Sequence, residues 1–550
     1  MIHQQFSPTK DNPGGGIIVY NQEDFIGLVP GYFSTVYLRK GKGAAYQVDI
    51  NPYREIGILQ PGYLPSNVTK EDGTGTETNI AAIINNGFME KVYSTGNPWL
   101  IEAGVKIHKL LSNAGIFNHL SLTAPFPYSI GTGTGAHAHS AFVGEDIIEF
   151  TIGGVPYMLY SYNDNTDGDI GRVDPNPETF DATADFIDNW FSTATGGGVL
   201  NKNYSHPMIE GDSGYLYIAD GNKLWFIASD GSIGSNSTIV PSGFKIKCFT
   251  KTGTHLVIFA DRIKGSSVAV FTRGDSYAYF WNYSATRADY VFSLNDNEVT
   301  AAFNFNGVVG CFTTGRSAED AGYNSKISKL QIFSGGKFES VFNFTGSSPG
   351  YGGVDFDHNK VWWNSEGRIF TYGAHFSELF NPSVNHIASA GGSGSGFLKA
   401  FNGTDVHVSS GSGASAGCQI IGPQLANSFS SNAQWRGMVV EPIFPIGMKG
   451  QVEQVEVNFF DSSSGGRAIT LQLEIDYANV TSTILSTLAT TTAGKNIVYK
   501  KLNSSGATLP QFNNLLAKCN WSDPGGGAGT TSAPKINYIK IYYSFIPIVI

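Results

Sequence analysis

Apolar residues in this chain alternate with polar ones at every second position far more often than they recur at helical spacing, and glycine-bearing turns cut the alternation into short pieces. The clearest stretch reads Tyr215-Leu-Tyr-Ile-Ala, Asp220-Gly-Asn, Leu224-Trp-Phe-Ile-Ala, Asp230-Gly. That is strand, tight turn, strand, tight turn, because Asp-Gly supplies the positive φ that a short hairpin turn needs. Similar units start near Lys91, Val155, His255, Gly307, Gly353 and Phe397, so successive starts lie about 40–65 residues apart. A four-stranded propeller blade takes about 40–50 residues. The spacing therefore predicts a β-propeller of about seven blades over residues 86–430. A β-sandwich array or a β-helix would share part of the pattern, and no Trp-Asp signature recurs to mark WD40 or kelch repeats.

The flanks read differently. Residues 1–85 form an extended arm: Asn12-Pro-Gly-Gly-Gly16 is a breaker, residues 34–40 and 43–50 read as short strands, and Gln60-Pro-Gly-Tyr-Leu-Pro65 is a turn. A Ser/Gly/Ala run over residues 409–417 precedes a boundary near residue 430. Beyond it the alternation is cleanest, with Val455/Val457/Phe459, Ile469/Leu471/Leu473/Ile475 and Ile539/Ile541/Tyr543 each on one face. Half-buried strands of this kind predict a jelly-roll-like β-sandwich over residues 431–550. Helical spacing is confined to residues 105–113, 184–191 and 511–518. The expected fold class is all-β.

Composition sharpens this picture. Only 15% of residues are charged while 13% are aromatic, and Gly accounts for 67 of 550. Such a chain is neither disordered nor a coiled coil. The net charge of −10 opposes sequence-specific nucleic-acid binding, and the densest basic group, Arg39-Lys40-Gly41-Lys42, reads as a solvated strand end. No apolar run reaches the length of a membrane span. Residues 1–10 lack a basic segment followed by an apolar one, so the expectation is a protein made and kept in a cytoplasm. Cys248, Cys311, Cys418 and Cys519 are scattered without metal spacing and read as buried free thiols.

Few motifs carry chemistry. Residues 163–174 match a calcium loop, with Asn163, Asn165, Asp167 and the Asp169 carbonyl at the ligating positions, Gly168 at the sharp turn, and Asp174 where a bidentate Glu would stand. The same Asn/Asp content also serves turn geometry alone. Ca2+ is thus the one candidate cofactor. His137 and His139 would share one face of a strand, without an evident third metal ligand. Arg273-Gly-Asp275 matches an adhesion tripeptide at an expected turn. Glu145, Asp146 and Glu149 form a carboxylate group that reads as a solvated strand edge. Trp362 and Trp363 must face opposite ways in a strand, so one packs within a blade and the other meets a neighbouring blade, a ligand or a subunit. No P-loop, zinc-protease motif or nucleophile elbow stands in the context its chemistry needs, so no catalytic residue is expected.

The segment Asp49-Ile-Asn-Pro-Tyr-Arg-Glu-Ile-Gly-Ile-Leu-Gln-Pro-Gly-Tyr63, followed by a propeller and a sandwich, resembles the tail-nozzle and tail-adaptor-like structural proteins of tailed bacteriophages. The resemblance implies a non-enzymatic virion tail component, assembled in the host cytoplasm. Its partners would be copies of itself in a cyclic oligomer and other virion proteins. A module binding a host-surface glycan, and a propeller enzyme degrading polysaccharide, are the rival expectations.

Overall fold

The computed structural model describes residues 18–22, 26–28, 43–44, 46–48, 50, 59–72 and, with interruptions, 88–547. The interruptions of five residues or more are 134–141, 264–274, 316–326, 374–382, 390–395, 411–416, 423–429, 441–446, 461–467, 486–496, 502–510 and 523–534. Internal contacts divide the chain into two units, residues 65–369 with 390–425, and residues 1–64 with 370–389 and 426–550.

The unit of residues 65–369 and 390–425 is a β-propeller. Seven antiparallel meanders follow one another, opening with the strands Phe88–Lys91, Val143–Ile152, Met208–Glu210, Phe244–Lys251, Glu298–Phe305, Val354–Asp357 and Leu398–Phe401. Each opening strand packs against that of the next blade, and Leu398–Phe401 packs against Phe88–Lys91, which closes the ring. The seventh blade has three consecutive strands, and its fourth comes from far upstream: Ser66–Asn67 pairs antiparallel with Gly417–Ile421. Thr69–Lys70 then adds to the first blade, parallel to Ile116–Leu120. Between these two additions Val68 is buried with Leu110, Leu120, Phe397, Cys418 and Ile420.

The Asp-Gly turn expected after Asp220 is present. Asp220 pairs with Lys223, and Gly221 between them has φ +64°, a conformation L side chains rarely adopt. Each of the seven sequence units falls in a different blade, yet the most legible hairpin is the middle of a blade, not its start. Leu216–Asp220 and Lys223–Ile227 are the second and third strands of the third blade, and the first is only Met208–Glu210.

The helical readings are corrected. Lys106–Asn113 is a strand paired with Pro98–Ile101 and Ile116–Leu120. Residues 184–191 contain the short strand Phe186–Ile187 and enter a single turn of helix, Trp190–Thr193. Residues 511–518 are strand at Gln511–Phe512 and again from Leu515. In each case pairing with a neighbouring strand overrides a weak local preference, because a segment this short cannot hold a helix by itself.

The other unit is a β-sandwich with sheets of five strands. One sheet runs Ile18–Gln22, Lys535–Pro547, Met448–Phe460, Ile497–Lys501, with Gln511–Phe512 also on Met448–Phe460. The other runs Thr481–Leu485, Ala468–Ile475, Leu515–Ser522, Gln434–Val440, Tyr46–Val48. Val455, Val457, Ile469, Leu471, Leu473, Ile539 and Ile541 are buried, as their alternation predicts. The contact division differs from the sequence boundaries at 85 and 430. The described residues up to Leu64 group with the sandwich, because Ile18–Gln22 and Tyr46–Val48 complete its sheets, Leu59 bridges Ile536, and Ser430 N–H donates to Gly62 O. The arm gains in those sheets the backbone hydrogen bonds it lacks alone. All four cysteines are free and buried. Among the described residues, no helix is long and apolar enough to cross a membrane.

Candidate functional site

The opening strands of the blades bring polar side chains from distant segments to the axis of the ring. Tyr351 stands in a short turn, Tyr351–Gly353, that enters the sixth blade. Its ring stacks on Phe88 of the first blade at 5.5 Å, and its hydroxyl donates to Met208 O of the third blade at 2.8 Å. Asp146, from the second blade, accepts Met208 N–H at 2.6 Å and Ile147 N–H at 2.8 Å. Burial pushes both the Tyr351 phenol and the Asp146 carboxyl well above their usual ranges.

A cavity of about 170 Å3 adjoins Tyr351, lined by Glu145, Ser205, Lys247, Thr300 and Gly352. Glu145 is half-buried, and it accepts Asn163 Nδ2 at 2.6 Å and His206 N–H at 2.5 Å. Burial raises its pKa against the pull of His206 and Asn163. The His206 ring is fully buried, with Nδ1 at 2.9 Å from Ala219 O and Nε2 at 3.1 Å from Asn163 Oδ1. Lys247 Nζ lies 3.5 Å from Glu298.

A second group ties the last blades to the first. Lys399 Nζ lies 3.4 Å from Glu90 and 3.7 Å from Asp355. Burial pushes the ammonium down, but Asp355 and Glu90 outweigh it and hold it above the usual lysine range. Burial raises both carboxyls in turn, against the attraction of Lys399. Asp355 also accepts Ala400 N–H at 2.9 Å. This triad joins the first, sixth and seventh blades.

Where the opening strands of the first three blades end, turns enclose a wider cleft of about 490 Å3, bordered by Tyr93, Glu149, Glu210, Ser213, Tyr215 and Ser229. Off the axis, Asp188 is a buried anchor. It accepts the hydroxyls of Tyr128 (2.9 Å) and Tyr160 (2.6 Å) and the N–H groups of Gly131 and Gly133 (both 3.0 Å).

The residues singled out in the sequence land as follows. The segment 163–174 is a hairpin in the second blade, with Asn163 paired to Gly168 across a turn that Asp164 caps by accepting Thr166 and Asp167 N–H. The ligand set read there faces several protein partners. Asn163 binds Glu145 and His206, Asn165 O accepts Lys202 Nζ at 2.6 Å, Asp169 accepts Ser192 and Ile170, and Asp174 caps Asn176 N–H. Asp167 lies at the exit of the turn, its main-chain oxygen accepting Asp164 N–H. Among the described residues, no group of three or more His, Cys, Asp or Glu is placed to hold a metal.

Trp362 and Trp363 are both buried. Trp363 packs between blades, 5.2 Å from Phe312 and 6.5 Å from Phe344, and Lys360 stands 5.8 Å over the Trp362 ring. Neither indole is offered to a ligand from this unit. His137, His139 and Arg273 lie outside the described residues, and Asp275 is buried 3.6 Å from Arg262. Glu145 and Asp146 are not a solvated edge, because the bulge between Gly144 and Asp146 turns both toward His206 and Met208. Tyr351, Lys399, Glu90, Tyr93 and Tyr215 were missed. Each belongs to a different blade or turn, and only ring closure gathers them.

No protein-family model and no curated protein matches the sequence. Solved structures match it only at low similarity. An exo-β-1,3-galactanase from Phanerochaete chrysosporium, bound to β-1,3-galactotriose, is 10% identical, over 87% of this chain and 99% of that one, with TM-score 0.30. The Dos1 propeller is 9% identical, over 66% and 88%, with TM-score 0.35. The Pan2 WD40 domain of Neurospora crassa is 7% identical, over 66% and 97%, with TM-score 0.39. Likenesses at this level carry no function across, and the propeller assignment rests on the blade order and ring closure described above.

Proposed function

We propose that this protein is a non-enzymatic structural component of a bacteriophage virion, a tail part that works as a symmetric oligomer and is assembled in the host cytoplasm. The observation that carries the reading is the closure of the propeller on itself. Ser66–Asn67 seals the ring, the Lys399–Glu90–Asp355 triad ties three blades, and Tyr351 reaches from the sixth blade to the first and third. A body so tied resists opening, which suits a load-bearing part. The carboxylates beside the axial cavity are held by N–H groups of the protein, an arrangement that favours scaffolding over proton transfer. With Tyr351 at the axis, any passage for DNA would run through a ring of copies, where a net charge of −10 per chain prevents sticking.

Light scattering and electron-microscopic class averages of the purified protein test assembly, and mass spectrometry of purified phage particles tests residence in the virion. A closed ring or tube of defined symmetry, with the chain present in particles, is expected. A monomer that is absent from particles would sink the reading. Release of reducing ends from capsule or cell-wall polysaccharide would instead support the enzymatic rival.

A further inference from the structure

The cleft at the finishing ends of the first strands is built unlike the rest of the ring. Tyr93 is 77% exposed and makes no ring contact among the described residues, so packing does not account for it. Its turn is nevertheless fixed. The two oxygens of Glu149 accept the N–H groups of Tyr93 and Ser94, the latter at 3.1 Å. Across the cleft Tyr215 is 39% exposed while its ring is steadied by Tyr217 at 6.3 Å and Phe226 at 5.6 Å. Its turn is closed by Gly211 N–H donating to Tyr215 O at 2.9 Å. Glu210 is exposed, and its side chain makes no hydrogen bond or ion pair among the described residues. The hydroxyls of Ser213 and Ser229 complete the border, and no Lys or Arg lines it among the described residues.

We propose that this cleft binds a saccharide, specifically an uncharged or amino sugar unit. Two aromatic rings, Tyr215 steadied by its neighbours and Tyr93 carried on a fixed turn, offer flat apolar faces for the C–H side of a sugar ring, and the phenol hydroxyls stay available at the wet edge. Carboxylate and serine oxygens meet sugar hydroxyls, and hydrogen bonds to an ionised carboxylate are the strong kind. The volume falls within the range of about 300–1,000 Å3 usual for ligand pockets. Glu149 and Glu210, the charged groups among the lining residues, disfavour uronic and sialic acids and attract an ammonium. The inference is independent of the virion role, which is read by particle mass and not by ligand binding.

The test is a titration of the full chain, by calorimetry and saturation-transfer NMR, with oligosaccharides of N-acetylglucosamine, glucosamine, galactose and galacturonic acid. At least one neutral or amino oligosaccharide binds. Tyr93→Ala and Tyr215→Ala each weaken it at least about tenfold, as loss of an aromatic anchor does, and Glu210→Gln weakens it several-fold. Tyr93→Ala leaves thermal unfolding nearly unchanged, since the ring is 77% exposed, makes no ring contact among the described residues, and the N–H bond to Glu149 is kept, so its effect reads the site and not the fold. Three results would overturn the proposal: no neutral or amino binder, an affinity indifferent to Tyr93→Ala, or tightest binding of the galacturonate oligomer.

Discussion

The Tyr351 hydroxyl donates to the main-chain oxygen of Met208 at 2.8 Å, although 143 residues separate them in sequence. The bond spans from the turn before the sixth blade to the opening strand of the third, and the same ring stacks on Phe88 of the first. Tyr351→Phe keeps the stack and loses the bond, so it should cost about 1 kcal/mol. Tyr351→Ala also leaves a void where three blades meet, and the loss should rise to about 3–5 kcal/mol. Thermal unfolding of both variants measures the difference. Equal effects would mean that the ring is not packed at the axis.

Ring closure depends on Val68, whose N–H donates to Cys418 O at 2.9 Å while its side chain fills the core between the seventh and first blades. Val68→Asp buries an unpaired charge there and should cost about 3–5 kcal/mol, against about 2 kcal/mol for the cavity left by Val68→Ala. Hydrogen exchange should quicken first in Leu398–Phe401 and Gly417–Ile421. Uniform loosening of all blades would contradict closure at this seam.

The same seam is acid-sensitive through His407. Its Nε2 faces Phe117 O at 2.7 Å, and burial lowers its pKa to about 4. Between about 4 and 6.5 the unfolded chain binds the proton more readily than the folded one. This stability is therefore complete above pH 6.5 and is lost as pH falls toward 4, to a total of about 3 kcal/mol. His407→Gln, which keeps a donor for Phe117 O, should remove that loss. A pH–stability curve identical to that of the native sequence would refute the assignment.

Asp261 works in the opposite direction. Burial raises its pKa to about 6, despite hydrogen bonds from Ser276 Oγ at 2.6 Å and Val299 N–H at 3.0 Å. Between about 4 and 6 the folded chain holds the extra proton, so this contribution is present at pH 4 and disappears as pH rises to 6, again by about 3 kcal/mol. The two slopes oppose each other in one pH window. Relative to the native sequence, Asp261→Asn should shift the change in stability on acidification toward loss, and His407→Gln should shift it toward gain. Thermal midpoints from pH 4 to 7 on the two variants check both.

Much of the local structure is legible in the sequence. Alternation at Leu216–Asp220 and Ile539/Ile541/Tyr543, and a turn that requires Gly221, are properties of a few adjacent residues, so strand, turn and buried face follow from them directly. The count of repeated hairpins likewise predicts about seven blades, and the ring has seven. The site is barely legible, since Glu90, Tyr93, Glu149, Glu210, Tyr351 and Lys399 carry no shared spacing, and Trp362 and Trp363 drew attention while being buried in packing. What tertiary structure alone decides is partnership across long separations. It gives Ser66–Asn67 to Gly417–Ile421, Ile18–Gln22 to Lys535–Pro547, and Tyr351 to Met208. An open strand edge or a free hydroxyl is satisfied equally well by many partners along the chain. Closure of a ring and completion of a sheet, which lower the free energy of the whole, select one of them.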